Sequence, residues 1–294
     1  MKLSQLALFL DTCETGSITE AAKRCGKNRT TVSSALSALE DELGVSLLER
    51  SGNQVQLTEI GDSIRSDAER IMMIANDIHA KCQQHHEGVE SVLRIARDDA
   101  LPEAFWRQLV HDLSVKYPNS SISIYVAPPP ELDEMVEQNM VDMAFCLLPT
   151  TDNLPNNQYT QLGQIRMMSV ARADHPLNHL NEVLSDDLAH ATEFVLAAIK
   201  DQTLTAVSPT SSNYIALTFY EHLRNAVLDG NGWSTVPSVL INSYLRDGTL
   251  KVLNHYQSMR WQPYGVIYGK HIQLGKVSRW LSTQLEAYLD KESN

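Results

Sequence analysis

Leu3, Leu6, Phe9, Leu10 and Cys13 recur along the start of the chain at helical spacing, which predicts an amphipathic helix with one buried stripe. Gly16 ends it, and Ser17, Ile18, Thr19 and Glu20 spell a capping box: Ser17 accepts the amide three residues on and Glu20 reaches back. A short helix from Ile18 to about Cys25 follows, stopped by Gly26. Asn28 is placed to cap a third helix with apolar positions Val32, Leu36, Leu39 and Leu43 and a stop at Gly44. Two helices across a tight glycine turn are the helix-turn-helix arrangement. Leu47 to Thr58 then reads as two short strands around Gly52 and Asn53, a hairpin that would form the wing of a winged helix.

A long helix begins at Thr58 and Glu59. Its positions Ile60, Ile64, Ala68, Ile71, Ala75, Ile78 and Cys82 keep a near-heptad repeat, so the stripe is expected to pair with a second copy. His85 and His86 are adjacent and point to different helix faces, which reads as a solvated end rather than a metal site. Beyond Glu90 the period changes. Strands at Val92–Arg97, Ile122–Val126 and Met143–Leu148 alternate with helices marked by Phe105, Leu109 and Leu113 and by Leu132, Met135 and Val136. A second round from Ile165 includes strands at Thr205–Val207 and Trp233–Val236, with a helix through Tyr214–Leu228 between them. A strand at Gly265–Tyr268 and a helix at Val277–Leu289 close the chain. Such alternation predicts βαβ units and a parallel sheet, with ligands bound at the carboxyl ends of strands. The turns so placed are Asp98–Pro102, Ala127–Glu131, Leu147–Thr150, Ser208–Asn213 and Gly230–Trp233.

Composition narrows the classes. With 294 residues, 43% hydrophobic and 20% charged, the chain fills two or three cores and is not disordered. Its longest apolar runs, such as Met143–Leu148, are far short of a membrane span, and the start lacks a basic-then-apolar leader. The expected location is therefore the cytoplasm. Cys13, Cys25, Cys82 and Cys146 form no CxxC pair, so neither a disulfide scaffold nor a zinc site is expected. The net charge of −12 argues against a nucleic-acid partner until its distribution is considered. Lys23, Arg24, Lys27 and Arg29 cluster, and no acid falls between Glu20 and Glu40. A phosphate backbone responds to that local field.

The third helix opens with Arg29, Thr30, Thr31, Ser33 and Ser34, polar side chains away from the Val32, Leu36 and Leu39 stripe. That is what a helix reading base edges in a major groove requires. Asn28 caps and sits beside them; Lys27 and Arg50 are phosphate candidates, and Asn53 at the wing tip is a minor-groove candidate. In the second part of the chain, topology alone nominates Asp98, Ala100, Leu101, Pro128, Leu147, Ser211, Ser212 and Trp233 as a ligand site. Ser211, Ser212 and Asn213 read equally as a helix cap. No serine–histidine–acid or metal constellation stands out, so no catalytic residue, metal or cofactor is expected.

In order and spacing, these features resemble the LysR-type transcriptional regulators. The resemblance rests on Leu6, Phe9 and Leu10; Glu14, Gly16, Ser17, Ile18, Thr19, Ala21 and Ala22; Thr31, Val32 and Ser33; Leu39, Glu40, Leu43 and Gly44; Leu47 to Arg50; and Leu57, Thr58, Glu59 and Gly61. Weaker echoes are Tyr117-Pro118, Asp174 to Leu177, Asp187-Leu188, Gly230, Gly232 and Val236-Pro237. It implies an α/β protein: an N-terminal winged helix-turn-helix (residues 1–58), a dimerising linker helix (59–88) and a two-lobed, Rossmann-like, periplasmic-binding-protein-like effector domain (89–294). Lobe I would span about 92–164 and 265–294, and lobe II about 165–264. The implied partners are double-stranded promoter DNA, a small-molecule effector in the inter-lobe cleft, and further copies of the chain as dimers and tetramers, with RNA polymerase a candidate. The implied function is a DNA-binding regulator modulated by that effector.

The chain departs from the family pattern at Asn28-Arg29-Thr30 and at Ser34, so a target sequence is not carried over. At the first cleft turn, Asp98-Asp99-Ala100 stands where a hydroxyl is common, and Pro128-Pro129-Pro130 removes three backbone donors. Both features argue against an anionic effector. The family's peroxide-sensing branch uses two effector-domain cysteines, whereas Cys146 is alone in that domain, so no disulfide switch is expected. Two alternatives are a small-molecule receptor without DNA binding and an α/β enzyme; the winged N-terminus opposes the first, and nothing beyond the fold supports the second.

Overall fold

The computed structural model describes residues 1–51, 54–148, 157–200, 202–270 and 272–293. The chain divides into two compact units, Met1–Glu87 and Gly88–Asn294.

The first unit contains α1 (Leu3–Thr15), α2 (Ile18–Arg24), α3 (Arg29–Leu43), β1 (Leu48–Ser51), β2 (Gln54–Leu57) and α4 (Glu59–His86). Its core joins Leu6, Phe9, Val32, Leu36, Leu39, Leu47 and Ala68, all buried. Along α1, Leu8 is buried while Leu3 is exposed, so the inward stripe is rotated from the expected one. The capping box is half made: the Glu20 amide donates to Ser17 Oγ at 3.5 Å, but the Glu20 carboxylate pairs with Lys23 instead of turning back. β1 and β2 pair antiparallel, Leu48 opposite Leu57. Glu40 positions their start, its Oε1 accepting from the Leu47 amide at 2.8 Å and the Leu48 amide at 3.1 Å.

The heptad reading of α4 needs correction. Its apolar positions divide between two faces. Ala68 is buried in the core, with Ile64 and Met72 packed against it. Ile71, Ile74 and Ile78 are exposed, as is Cys82. The first turns of the helix are thus held by the unit's own core, and only the later turns carry an uncovered stripe.

The second unit runs β3 (Val92–Arg97), α5 (Glu103–Lys116), β4 (Ser121–Val126), α6 (Pro129–Glu137), β5 (Met143–Leu147), β6 (Asn157–Arg172), α7 (Ser185–His190), β7 (Glu193–Lys200), β8 (Thr203–Ala206), β9 (Tyr214–Leu217), α8 (Tyr220–Asp229), β10 (Trp233–Pro237), α9 (Asn242–Arg246), β11 (Leu250–Val252), β12 (Met259–Gly269) and α10 (Lys276–Ser293). The sheet order is β4-β3-β5-β12-β6-β10-β7-β8, with β11 on β6 and β9 on β7. The sheet is mixed rather than parallel. β3 is parallel to β4 and β5, and β7 is parallel to β9 and β10. Between these two parallel groups the long strands β6 and β12 pair antiparallel with each other, linking two lobes.

Tyr214–Leu217 forms a strand, not the start of a helix. It pairs parallel with Glu193–Leu196 of β7, and this long-range pairing overrides the local pattern. No helix among the described residues is long and apolar enough to cross a membrane.

Candidate nucleic-acid interface and effector cavity

The α2–α3 turn carries the polar face of the first unit. Asn28 caps α3, its Oδ1 accepting from the Thr31 amide at 2.8 Å and the Thr31 hydroxyl at 2.7 Å. Val32, Leu36 and Leu39 are buried, whereas Lys27, Arg29, Thr30, Thr31, Ser34 and Ala38 are exposed. Ser34 follows Thr30 by four residues and Thr31 by three, and Ala38 follows Ser34 by four, so the four form one outward stripe. Ser33 is half-buried on its flank. The basic cluster is weaker than its composition: Lys23 pairs with Glu20, and Arg24 with Glu14 and with Asp11 at 3.4 Å. Lys27 and Arg29 have no ion-pair partner among the described residues. They therefore bring the full local charge to the start of α3, where the helix dipole also favours an anion. Arg50 lies in β1, and Asn53 lies outside the described residues.

In the second unit a cavity of about 600 Å³ opens between the lobes. Pro129, Pro130 and Asp133 of α6 and Cys146 and Leu147 of β5 line it from one side. Glu193, Phe194 and Leu196 of β7, Ser208 and Thr210, and Tyr220 and Leu223 of α8 line it from the other. Met167, Arg260 and Gln262 come from the two long strands. Two hydrogen bonds beside the cavity join the lobes. Glu131 Oε1 accepts from the Ile199 amide at 2.8 Å, and Asp99 Oδ2 accepts from the Glu221 amide at 2.9 Å.

Of the residues nominated from topology, Leu147 lines the cavity, and Pro128 directly precedes two prolines that do. The others do not reach it. Ala100 and Leu101 are buried in the core. Asp98 is fully buried, accepting from the Leu147 amide at 2.8 Å, the Ala100 amide at 3.1 Å and the Tyr264 hydroxyl at 3.2 Å. Its two carboxyl oxygens are thus turned onto protein donors; Asp99 is held through Oδ2 alone, its Oδ1 buried without a hydrogen-bond partner among the described residues. Ser211 gives its hydroxyl to the carbonyls of Ala189 and Ala191, and Ser212 gives its own to Ala189. They tie down the loop and cap no helix. Trp233 packs with Leu177, Val183 and Leu253 and donates its indole N–H to Leu188 O at 3.4 Å. Asp133, Glu193, Tyr220 and Arg260 line the cavity from outside the turns that topology singles out. Glu193 alone carried a signal, a charged residue heading the apolar run Phe194–Ile199.

Burial decides the ionisation of these groups. It pushes Asp98 up to about 7, against the amide hydrogen bonds that oppose it. Glu193 is raised for the same reason, opposed by the amides of Ser211 and Thr210. Burial also raises Cys146 well above the usual thiol value, so its sulfur is not held as a thiolate. A carboxyl whose folded value exceeds its unfolded value binds a proton more tightly when folded. Its contribution is full at low pH and is lost as pH rises from about 4 through about 7. Asp98→Asn is expected to remove roughly 2 kcal/mol of this decline between pH 5 and 8. Thermal melts of both proteins across that range check it; parallel pH profiles would refute it.

A helix-turn-helix unit with an exposed polar stripe, followed by a two-lobed unit around a cavity, defines the class of DNA-binding regulators with an effector domain. Residues 3–62 match the family described as "Bacterial regulatory helix-turn-helix protein, lysR family", and residues 86–290 match "LysR substrate binding domain". The chain belongs to the LysR family of transcriptional regulators; it is not an enzyme. The HTH-type transcriptional regulator AceR of Acinetobacter baumannii is 24% identical over 281 residues, 94% of each chain. The multiple virulence factor regulator MvfR of Pseudomonas aeruginosa is 26% identical over 267 residues, 90% of this chain and 78% of that one. The match to YvbU of Bacillus subtilis, 28% identical, spans 65% of this chain and 64% of that protein. Among solved structures, a Corynebacterium glutamicum OxyR C206 mutant superposes with a TM-score of 0.65 at 18% identity, covering 99% of this chain and 93% of that one. Full-length CbnR complexed with its target DNA gives 0.56 at 18% identity, covering 98% and 100%. These likenesses establish the fold.

Proposed function

We infer that the stripe of Thr30, Thr31 and Ser34 enters the major groove of promoter DNA. Arg29 and Lys27 engage base edges or phosphates at the helix start, Ser33 lies on the flank, and Asn28 sets the helix's first turn. Arg50 and Asn53 are assigned to the wing from the sequence. The observation that carries this reading is that α3 buries Val32, Leu36 and Leu39 while presenting a polar stripe beside two cations without ion-pair partners among the described residues. The division into residues 1–58, 59–88 and 89–294 is kept as a functional division: reading head, dimerising helix and effector domain. The exposed Ile71, Ile74 and Ile78 stripe pairs two chains, two such dimers assemble into a tetramer, and the inter-lobe cavity takes a small molecule that alters how the assembly holds DNA. The protein acts in the cytoplasm, with RNA polymerase a candidate partner.

The phosphate assignment is tested by Lys27→Ala/Arg29→Ala. Its affinity for the protein's own upstream DNA is expected to fall about tenfold, and the salt slope of binding to shrink by about 2 per reading head. Fluorescence anisotropy titrations at several salt concentrations read both quantities. An unchanged slope would remove these residues from the interface.

A further inference from the structure

We propose that the inter-lobe cavity selects an organic cation: an amine on a compact aromatic or branched aliphatic body, with its ammonium donating to Glu193. This deepens the effector reading above and rests on it.

Two carboxylates and one guanidinium line the cavity, and the carboxylates are prepared for a ligand. Glu193 Oε2 accepts from the Thr210 amide at 2.7 Å and the Ser211 amide at 2.8 Å, while Oε1 accepts from no group among the described residues. Asp133 Oδ1 accepts from Asn157 and from the Tyr159 hydroxyl, and Oδ2 likewise has no donor among the described residues. Each carboxylate is fixed through one oxygen and presents the other. Glu193 is buried and Asp133 half-buried, and a carboxylate so placed with an open oxygen is stabilised by a charged donor and repels an anion.

Arg260 does not neutralise Glu193. Along the sheet Arg260 stands opposite Met167, Met167 opposite Pro237, and Glu193 opposite Trp233. Arg260 and Glu193 are therefore four residues apart along the strand direction, about 13 Å, and three strands apart across the sheet.

The usual anion-binding feature, a helix N-terminus with free amides, is closed on both sides. α6 begins with Pro129 and Pro130, which have no N–H to offer. At α8 the Glu221 amide is already taken by Asp99. Between these ends Phe194 and Tyr220 give apolar and aromatic surface that accommodates the body of a cation.

The test uses the full chain and three matched probes: 2-phenylethylamine, 3-phenylpropanoate and 2-phenylethanol. Calorimetry is expected to give the amine at least about tenfold tighter binding than either of the others. Glu193→Gln keeps an acceptor for the loop amides and is expected to erase that preference; Asp133→Asn is expected to reduce it. Tighter binding of the propanoate, no binding of the amine at millimolar concentration, or a preference that survives both variants overturns the assignment. Footprints on the upstream DNA with and without amine separate the two readings. Amine binding through Glu193 with an unchanged footprint supports the cation site and refutes its effector role. Propanoate selectivity with a changed footprint refutes the cation and leaves the effector role standing.

Discussion

Ile74→Glu/Ile78→Glu is expected to turn the proposed dimers into monomers at micromolar concentration and to weaken binding to a two-half-site promoter fragment about a hundredfold. Both side chains are exposed on the later turns of α4, away from the Ile64, Ala68 and Met72 contacts that hold the earlier turns. Charges there should leave the helix-turn-helix core intact. They would desolvate badly in any helix–helix seam. DNA affinity falls because two tethered reading heads bind with an effective concentration that one head lacks, an advantage of roughly 100-fold or more. Native mass spectrometry reads the mass and a gel-shift titration reads the affinity. Retained dimers would place the interface elsewhere on the chain. Monomers with undiminished affinity would refute the paired-head arrangement.

Gly61→Ala is expected to destabilise the first unit by about 3 kcal/mol, at the upper end for an overpacked site. A Cβ at Gly61 would overlap the Leu47 carbonyl oxygen and lie 3.2 Å from Leu57 Cδ2. The oxygen has no room to retreat, because it accepts from the Thr58 amide at 3.0 Å. Leu47 opens the wing and is itself fixed through Glu40, so the clash falls where α3, the wing and α4 meet. Chemical denaturation followed by helix signal measures the loss. A change below about 0.5 kcal/mol would show that the start of α4 shifts freely.

The helix-turn-helix was legible because its signals are local. Asn28 as a cap, the Val32, Leu36 and Leu39 stripe, and the glycine stops each act within a few residues of chain. The same periodicity could not say what covers a stripe. Ile64 and Ile78 both fall in the near-heptad repeat of α4, and only the core contributed by other elements separates them. The second unit was legible as an α/β fold but not as a mixed sheet, since strand direction is set by partners far along the chain. Tyr214–Leu217 shows this, taking its conformation from β7. Placing the cavity from turn positions located Leu147 and the proline loop. It failed for Asp98, Ser211 and Trp233, whose polar groups are spent on neighbouring backbone. Glu193 and Arg260 lie on strands, outside the turns that topology singles out.

The central claim, that the exposed stripe of α3 reads a major groove, is tested most directly by methylation interference on the protein's own upstream DNA. Dimethyl sulfate marks guanine N7 in the major groove and adenine N3 in the minor groove. The predicted result is a block to binding at N7 positions in two clusters separated by whole helical turns, lost at specific guanines when Thr30 or Ser34 is replaced by alanine. Interference confined to adenine N3, with N7 methylation tolerated throughout, would contradict it.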